Sequence, residues 1–148
     1  MTPRRAAKVD AIKRSEHDEQ VALFQMAALH EARIPELKWL FAIPNGGHRH
    51  KAVAGKLKAE GVKDGVPDVC LPVSRAYSIY DMNHETIYDE HAALYIEMKV
   101  GRNKVTANQA HWINGLIEMG NRVEICHSAD EAWSVILDYL GIDEGSLT

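Results

Sequence analysis

Apolar side chains recur three and four positions apart from Val21 through Phe24 to Ala28, with Leu23, Met26 and Ala27 beside them, which predicts a helix over Ser15–Arg33. Ser15-Glu16-His17-Asp18 supplies its start, because a serine hydroxyl at the cap position accepts the amide three residues on. Pro35 interrupts the pattern. Trp39-Leu-Phe-Ala-Ile43 is an apolar run of strand length, and Pro44-Asn-Gly-Gly47 reads as a turn. His48–Glu60 is compatible with a second helix that stops at Gly61, a residue able to take the left-handed conformation. Asp68–Val73 reads as a short strand, with Pro72 marking an edge or an end.

Ser74–Ala92 is polar, acidic and tyrosine-bearing, and long for a connection between strands, so it is either a loop with a functional surface or a small extra hairpin. Ala93–Val100 alternates as a strand does: Leu94, Ile96 and Met98 face one side, Tyr95, Glu97 and Lys99 the other. Thr106-Ala-Asn-Gln109 is a capping box opening a helix through Ile117, closed by Gly120. Arg122–Cys126 is a strand, and Ser128-Ala-Asp-Glu131 a second capping box opening a helix through Leu140 that Gly141 ends. The order α, β, α, β, β, α, β, α predicts a mixed α/β domain on one central sheet.

The length of 148 residues fits one domain, and 46% hydrophobic with 26% charged residues is ordinary globular composition. Two cysteines, Cys70 and Cys126, lie far apart without a Cys-x-x-Cys partner, which favours buried thiols over a disulfide framework or a cysteine-based zinc site. No apolar run reaches the roughly 18 residues of a membrane span, so a cytoplasmic protein with no membrane partner is expected. The net charge of −4 is unevenly spread. Arg4, Arg5, Lys8, Lys13 and Arg14 oppose only Asp10, marking residues 1–14 as a basic N-terminal extension before a domain over 15–148. Arg49, Lys51, Lys56, Lys58 and Lys63 form a second basic block. Such polarity allows one face to meet a phosphate backbone while the acidic remainder keeps the chain soluble.

Candidate chemistry concentrates on Asp68 and Glu97-Met98-Lys99. Strand positions two apart share a face, so Glu97 and Lys99 project together, and an adjacent strand bringing Asp68 alongside would converge two carboxylates and an ammonium. Oxygen ligands of this kind suit Mg²⁺ or Mn²⁺ better than zinc. A carboxylate deep in an apolar run needs compensation for its lost hydration; spacing alone leaves a metal and a structural ion pair both open. Glu36-Leu37-Lys38 has the same Glu-x-Lys form without an Asp-bearing strand before it and is read as a decoy. His48 and His50 lack further ligands at zinc spacing.

Five motifs in order, Ser15-Glu-His-Asp-Glu-Gln20, Ile43-Pro-Asn-Gly-Gly47, Gly65-Val-Pro-Asp68, Ile96-Glu-Met-Lys99 and Thr106-Ala-Asn-Gln109, resemble those of the virus-type replication-repair nuclease (VRR-NUC) domain of the PD-(D/E)xK nuclease superfamily. The resemblance spans about Ser15–Leu140. It implies a restriction-endonuclease-like α/β core of order αβββαβ, with a central mixed sheet flanked by helices and 74–92 inserted between core strands. It further implies that Asp68 and Glu97 hold Mg²⁺ or Mn²⁺, with the Met98 carbonyl as a backbone ligand and Lys99 stabilising charge at the nucleophile and scissile phosphate. Glu16 matches the first-helix acid, acting directly or through water, with Glu19 on nearly the same face as a substitute. Gln109 matches a family glutamine, while its cap position gives a second, structural account.

The function implied is a metal-dependent DNA endonuclease, structure-selective toward branched, flapped or junction DNA; the alternative is a catalytically silent nucleic-acid-binding domain on the same fold. Phage members of the family are stand-alone, dimeric and resolvase-like, so a homodimer of phage or bacterial origin is expected, without an organic cofactor. Asn45, Gly46, Arg49, Lys51, Lys56, Lys58, Lys63, Arg102 and Lys104 are the expected DNA contacts.

Overall fold

The computed structural model describes residues 14–45 and 51–148. Its centre is the alternating segment read above, observed as strand β5 over Leu94–Met98 in a four-stranded mixed sheet. The other strands are β1 (Phe41–Ala42), β2 (Val69–Leu71) and β6 (Arg122–Cys126), and the spatial order is β1-β2-β5-β6. β1 and β5 each run antiparallel to β2, whereas β6 is parallel to β5. A parallel neighbour requires a crossover, and helix α3 (Ala107–Glu118) provides it. Helices α1 (Glu16–His30), α2 (Lys51–Ala59) and α4 (Ala129–Leu140) complete the main elements.

Leu94, Ile96 and Met98 are at most 1% exposed and join Leu23 and Ala27 of α1 and Ala132, Trp133, Ile136 and Leu137 of α4 in the core. The opposite face of β5 carries Glu97 and Lys99, and α3 lies over it with Ile113 and Leu116 buried. One strand thus separates an oily layer from a charged one. Both cysteines are buried free thiols, and burial pushes Cys126 up to about 12. No helix among the described residues is long and apolar enough to cross a membrane.

Several boundaries differ from the sequence reading, each for a local reason. α1 stops at His30 instead of Arg33, because Ile34 precedes Pro35 and is held out of the helical region at φ −124° and ψ 82°. Pro35–Trp39 winds into a 3₁₀ turn, leaving only Phe41–Ala42 of the expected strand. The strand expected over Asp68–Val73 contracts to Val69–Leu71 before Pro72, and that over Ala93–Val100 to Leu94–Met98. Of the second helix, Lys51–Ala59 is seen, with Gly61 at φ +98° after it; His48–His50 lie outside the described residues. Ser128 caps the Glu131 amide at 3.1 Å, yet the box is not reciprocal, since the Glu131 carboxylate accepts the His127 amide at 2.9 Å.

The segment 74–92 is a hairpin, β3 (Arg75–Tyr80) with β4 (Thr86–His91), forming its own two-stranded sheet. It is anchored at its base, where the Tyr77 hydroxyl donates to the Tyr139 carbonyl and the Tyr139 hydroxyl to that of Val73.

Candidate active site

The register Val69↔Ile96 and Cys70↔Tyr95 sets Asp68, one residue before β2, opposite Glu97 on the same face. The Asp68 carboxylate accepts the Met98 amide at 2.8 Å through Oδ2 and the Asn45 side-chain amide at 3.0 Å through Oδ1. In a strand the N–H and C=O of one residue point the same way, so the Met98 carbonyl faces the Asp68 side as well.

Glu97 is 1% exposed and Lys99 8%. The Lys99 ammonium lies 3.6 Å from Glu97 Oε1, which also accepts the Gln109 amide at 2.7 Å. Glu97 Oε2 is buried with no partner among the described residues. Burial, then the Asp68 charge, push the Glu97 carboxyl up to about 7, against the opposing pull of Lys99. The cluster is therefore short of positive charge, with a carboxylate oxygen left over, and this donor set fits a hard divalent cation. Among the described residues no three His, Cys, Asp or Glu side chains meet as a ligand cluster, so side chains alone offer Asp68 and Glu97.

Gly65 shows why the turn before Asp68 is shaped as it is. At φ +89° it is in the left-handed region, and a Cβ there would come within 3.0 Å of the Asn108 backbone in the first turn of α3. Asn108 in turn donates to the Asp64 carbonyl at 2.8 Å. The helix that bears Gln109 is thereby seated on the turn that bears Asp68.

Glu16, in the first turn of α1, is near enough to raise Glu97 further and accepts the Asn103 side-chain amide at 3.0 Å. Glu19 is not brought to the site. Its carboxylate accepts the Ala129 amide at 2.7 Å, one of the unpaired N–H groups at the start of α4, where the helix dipole favours an anion. Asn45, expected to touch DNA, is turned inward instead, its amide shared between Asp68 and the Val66 carbonyl at 3.0 Å.

Each of the three acids thus rests on one carboxamide: Asp68 on Asn45, Glu97 on Gln109, Glu16 on Asn103. Asn103 had no signal in the sequence beyond its place in a polar loop. Lys51, Lys56, Lys58, Lys63, Arg102 and Lys104 are exposed, and no residue of α2 is buried. Gly46 and Arg49 lie outside the described residues, as do residues 1–13. Glu36 and Lys38 sit on the exposed 3₁₀ turn, with the Lys38 ammonium 4.8 Å above the Trp39 ring.

The family profile described as VRR-NUC domain matches residues 6–130. A solved structure described as a VRR_NUC domain protein superposes with a TM-score of 0.66 at 22% sequence identity, over 88% of this chain and 92% of that one, and so shares its fold. No curated protein matches the chain.

Proposed function

The chain belongs to the VRR-NUC domain family, which carries a nuclease-type fold, and we propose that it is a metal-dependent endonuclease that hydrolyses phosphodiester bonds in branched DNA. The observation that carries this reading is Glu97, a buried carboxylate pushed up to about 7 beside Asp68 with one oxygen unpartnered. A purely structural ion pair would leave no such surplus of acid.

Asp68, Glu97 and the Met98 carbonyl are the groups that would hold Mg²⁺ or Mn²⁺, with Glu16 reached through water. Such an ion, when bound, acidifies a coordinated water and neutralises charge on the phosphate oxygens. Lys99 keeps a fixed positive charge where the attacking and phosphate oxygens gain negative charge, and preorganised charge of this kind is often the largest contribution to rate. Asn45 and the Met98 amide orient Asp68, and Gln109 orients Glu97, so neither carboxylate has to reorganise during the reaction. The exposed lysines of α2 with Lys63, Arg102 and Lys104 supply phosphate contacts, and a homodimer would present two such sites to a junction of two-fold symmetry.

A catalytically silent DNA-binding domain is the second reading, favoured by the lack of a third side-chain ligand among the described residues. Incubating the purified protein with junction, flapped and linear DNA, with and without Mg²⁺ or Mn²⁺, separates the two. Cleavage only with the ion supports the enzyme; binding of branched DNA without cleavage under any divalent ion supports the silent domain.

A further inference from the structure

Two clefts meet at Glu16 and His17. One, of about 820 Å³, runs between the start of α1 and the loop after β5, and it carries Arg14 and Arg102. The other, of about 920 Å³, runs between α1 and β1 and ends at Asp68. Its walls are apolar, from Val21, Phe24 and Ala28 on the helix to Ile43 and Pro44 across from them, with Gln20 and Gln25 as polar groups. Among the described residues no lysine or arginine lines it.

We propose that the apolar cleft takes unpaired nucleobases of the strand being cut, on one side of the scissile phosphate, while phosphates on the other side lie against Arg14 and Arg102. This rests on the nuclease reading and names what the site would select.

Charge divides the two clefts. A phosphate entering the apolar one would pass Glu16 and Asp68 and meet no lysine or arginine among the described residues, whereas a base is uncharged. The size is that of a ligand pocket, and the lining has the usual apolar body with a few polar groups. Phe24, half-buried against the core, lines the cleft with an aromatic ring of the kind on which any base can stack, and the two glutamine amides offer donors and acceptors to a base edge. Phe24 lies about 12 Å along the helix from Glu16, so the cleft continues well past the acids. Because Asp68 belongs both to the acid cluster and to this cleft, a nucleotide whose phosphate lies at Asp68 has its base at the cleft mouth. A base still paired in a duplex is held in its stack and would have to be extracted at a cost, which a flap or branch point avoids.

The test is an abasic scan. A branched substrate carries one abasic residue at each position of the cut strand in turn, and cleavage in Mn²⁺ and anisotropy-monitored binding in Ca²⁺ are measured for wild type, Phe24→Ala and Phe24→Leu. At one position or more beside the cut, loss of the base should weaken wild type about tenfold, and the same loss should have little further effect in Phe24→Ala. The ratio of rates on unpaired over fully paired substrates should fall by a similar factor in that variant. Independent, additive losses, or an unchanged ratio, would overturn the proposal. Phe24→Leu retains bulk without the aromatic face and carries the same test if Phe24→Ala melts early. Should wild type cleave nothing, the nuclease reading fails on its own, and the binding arm still decides whether the cleft holds a base. If wild type is a dimer that Phe24→Ala converts to monomer in light scattering, the cleft is an interface between copies and the proposal falls.

Discussion

Gln109 holds Glu97 and caps α3 with the two ends of one amide: Nε2 donates to Glu97 Oε1 at 2.7 Å, and Oε1 accepts the Thr106 amide at 2.9 Å. The structural and the catalytic accounts of this residue are therefore one arrangement, in which the start of the helix fixes the acid. Substitutions can divide them. Gln109→Leu should lose both, with a cleavage rate down at least about tenfold and stability down by about 1 kcal/mol. Gln109→Glu keeps an acceptor for the Thr106 amide but, ionised, has no donor for Glu97. It should cleave as poorly as the leucine variant, and its melting point should fall below wild type as pH rises through about 7, where two buried carboxylates face each other. Thermal melts beside single-turnover rates make the comparison, and a glutamate variant of full activity would remove the positioning role.

Glu97 makes the metal-free protein sensitive to pH in a defined direction. Its folded value of about 7 lies above the ordinary 4.5, so between the two the native state keeps a proton that the unfolded chain has released. The associated stability is complete below the lower value and is lost as pH rises through the upper one, on the order of 3 kcal/mol in all. Melting temperature without divalent ions should fall from about pH 5 to about pH 8. Glu97→Gln should flatten that fall and abolish cleavage; Asp68→Asn, which removes the second cause of the shift, should reduce the slope and also abolish cleavage. Stability rising across this window, or turnover surviving either substitution, contradicts the assignment.

Lys99 is buried beside Glu97 but, as a cation, is no metal ligand. Lys99→Met should therefore lose turnover and still bind Mn²⁺, with an affinity that rises with pH because loss of the ammonium pushes Glu97 further up; calorimetry decides, and complete loss of metal binding at every pH would make the lysine a structural counter-ion only.

The acid-and-lysine face at the end of β5 was legible because alternation over Leu94–Lys99 places Glu97 and Lys99 together whatever lies around them. Helix starts at Ser15 and Thr106 were legible for an equally local reason, a hydroxyl three residues before the amide it accepts. What escaped was the pairing of side chains across the fold. Glu19 shares the helical face of Glu16, and only the position of the α4 start, 110 residues away, shows that it is engaged there. Asn45 looked like part of a glycine turn facing a phosphate, and its bond to Asp68 depends on β1 lying beside β2. The open choice at 74–92 falls to the hairpin through the β3–β4 pairing, and its anchoring by Tyr77 on Tyr139, 62 residues apart, has no local signal.

The basic block divides by face once it is helical. Lys51 and Lys58, seven residues apart in α2, lie nearly two full turns apart and point the same way, while Lys56 differs from Lys58 by about 200°. If this face meets the phosphate backbone, Lys51→Gln with Lys58→Gln should reduce the magnitude of the salt slope of DNA binding by about 0.9 for each phosphate no longer neutralised, equally across sequences. Lys56→Gln should change it less. An unaltered slope in the double variant would place the DNA elsewhere.

The hairpin bears on self-association. Of its tyrosines, Tyr77 is spent on the domain, in edge contact with His91 and Tyr139. The register Ser78↔Tyr88 and Tyr80↔Thr86 sets Tyr80 and Tyr88 together on the opposite face, where they are 74% and 71% exposed. Met82 at the tip is 99% exposed, and the Asp81 carboxylate beside it is occupied by the Asn83 and Glu85 amides, which lowers the cost of bringing two tips together. Exposed rings with a polar tip are what interfaces are enriched in. If two copies pair through this face, light scattering at micromolar concentration should give about twice the 16.5 kDa chain mass, and Tyr80→Ser with Tyr88→Ser should return it to the chain mass without lowering the melting point of the monomer, since neither ring touches the core. A wild-type mass of one chain would rule out a stable dimer, and a dimer that survives both substitutions would place the interface on another face.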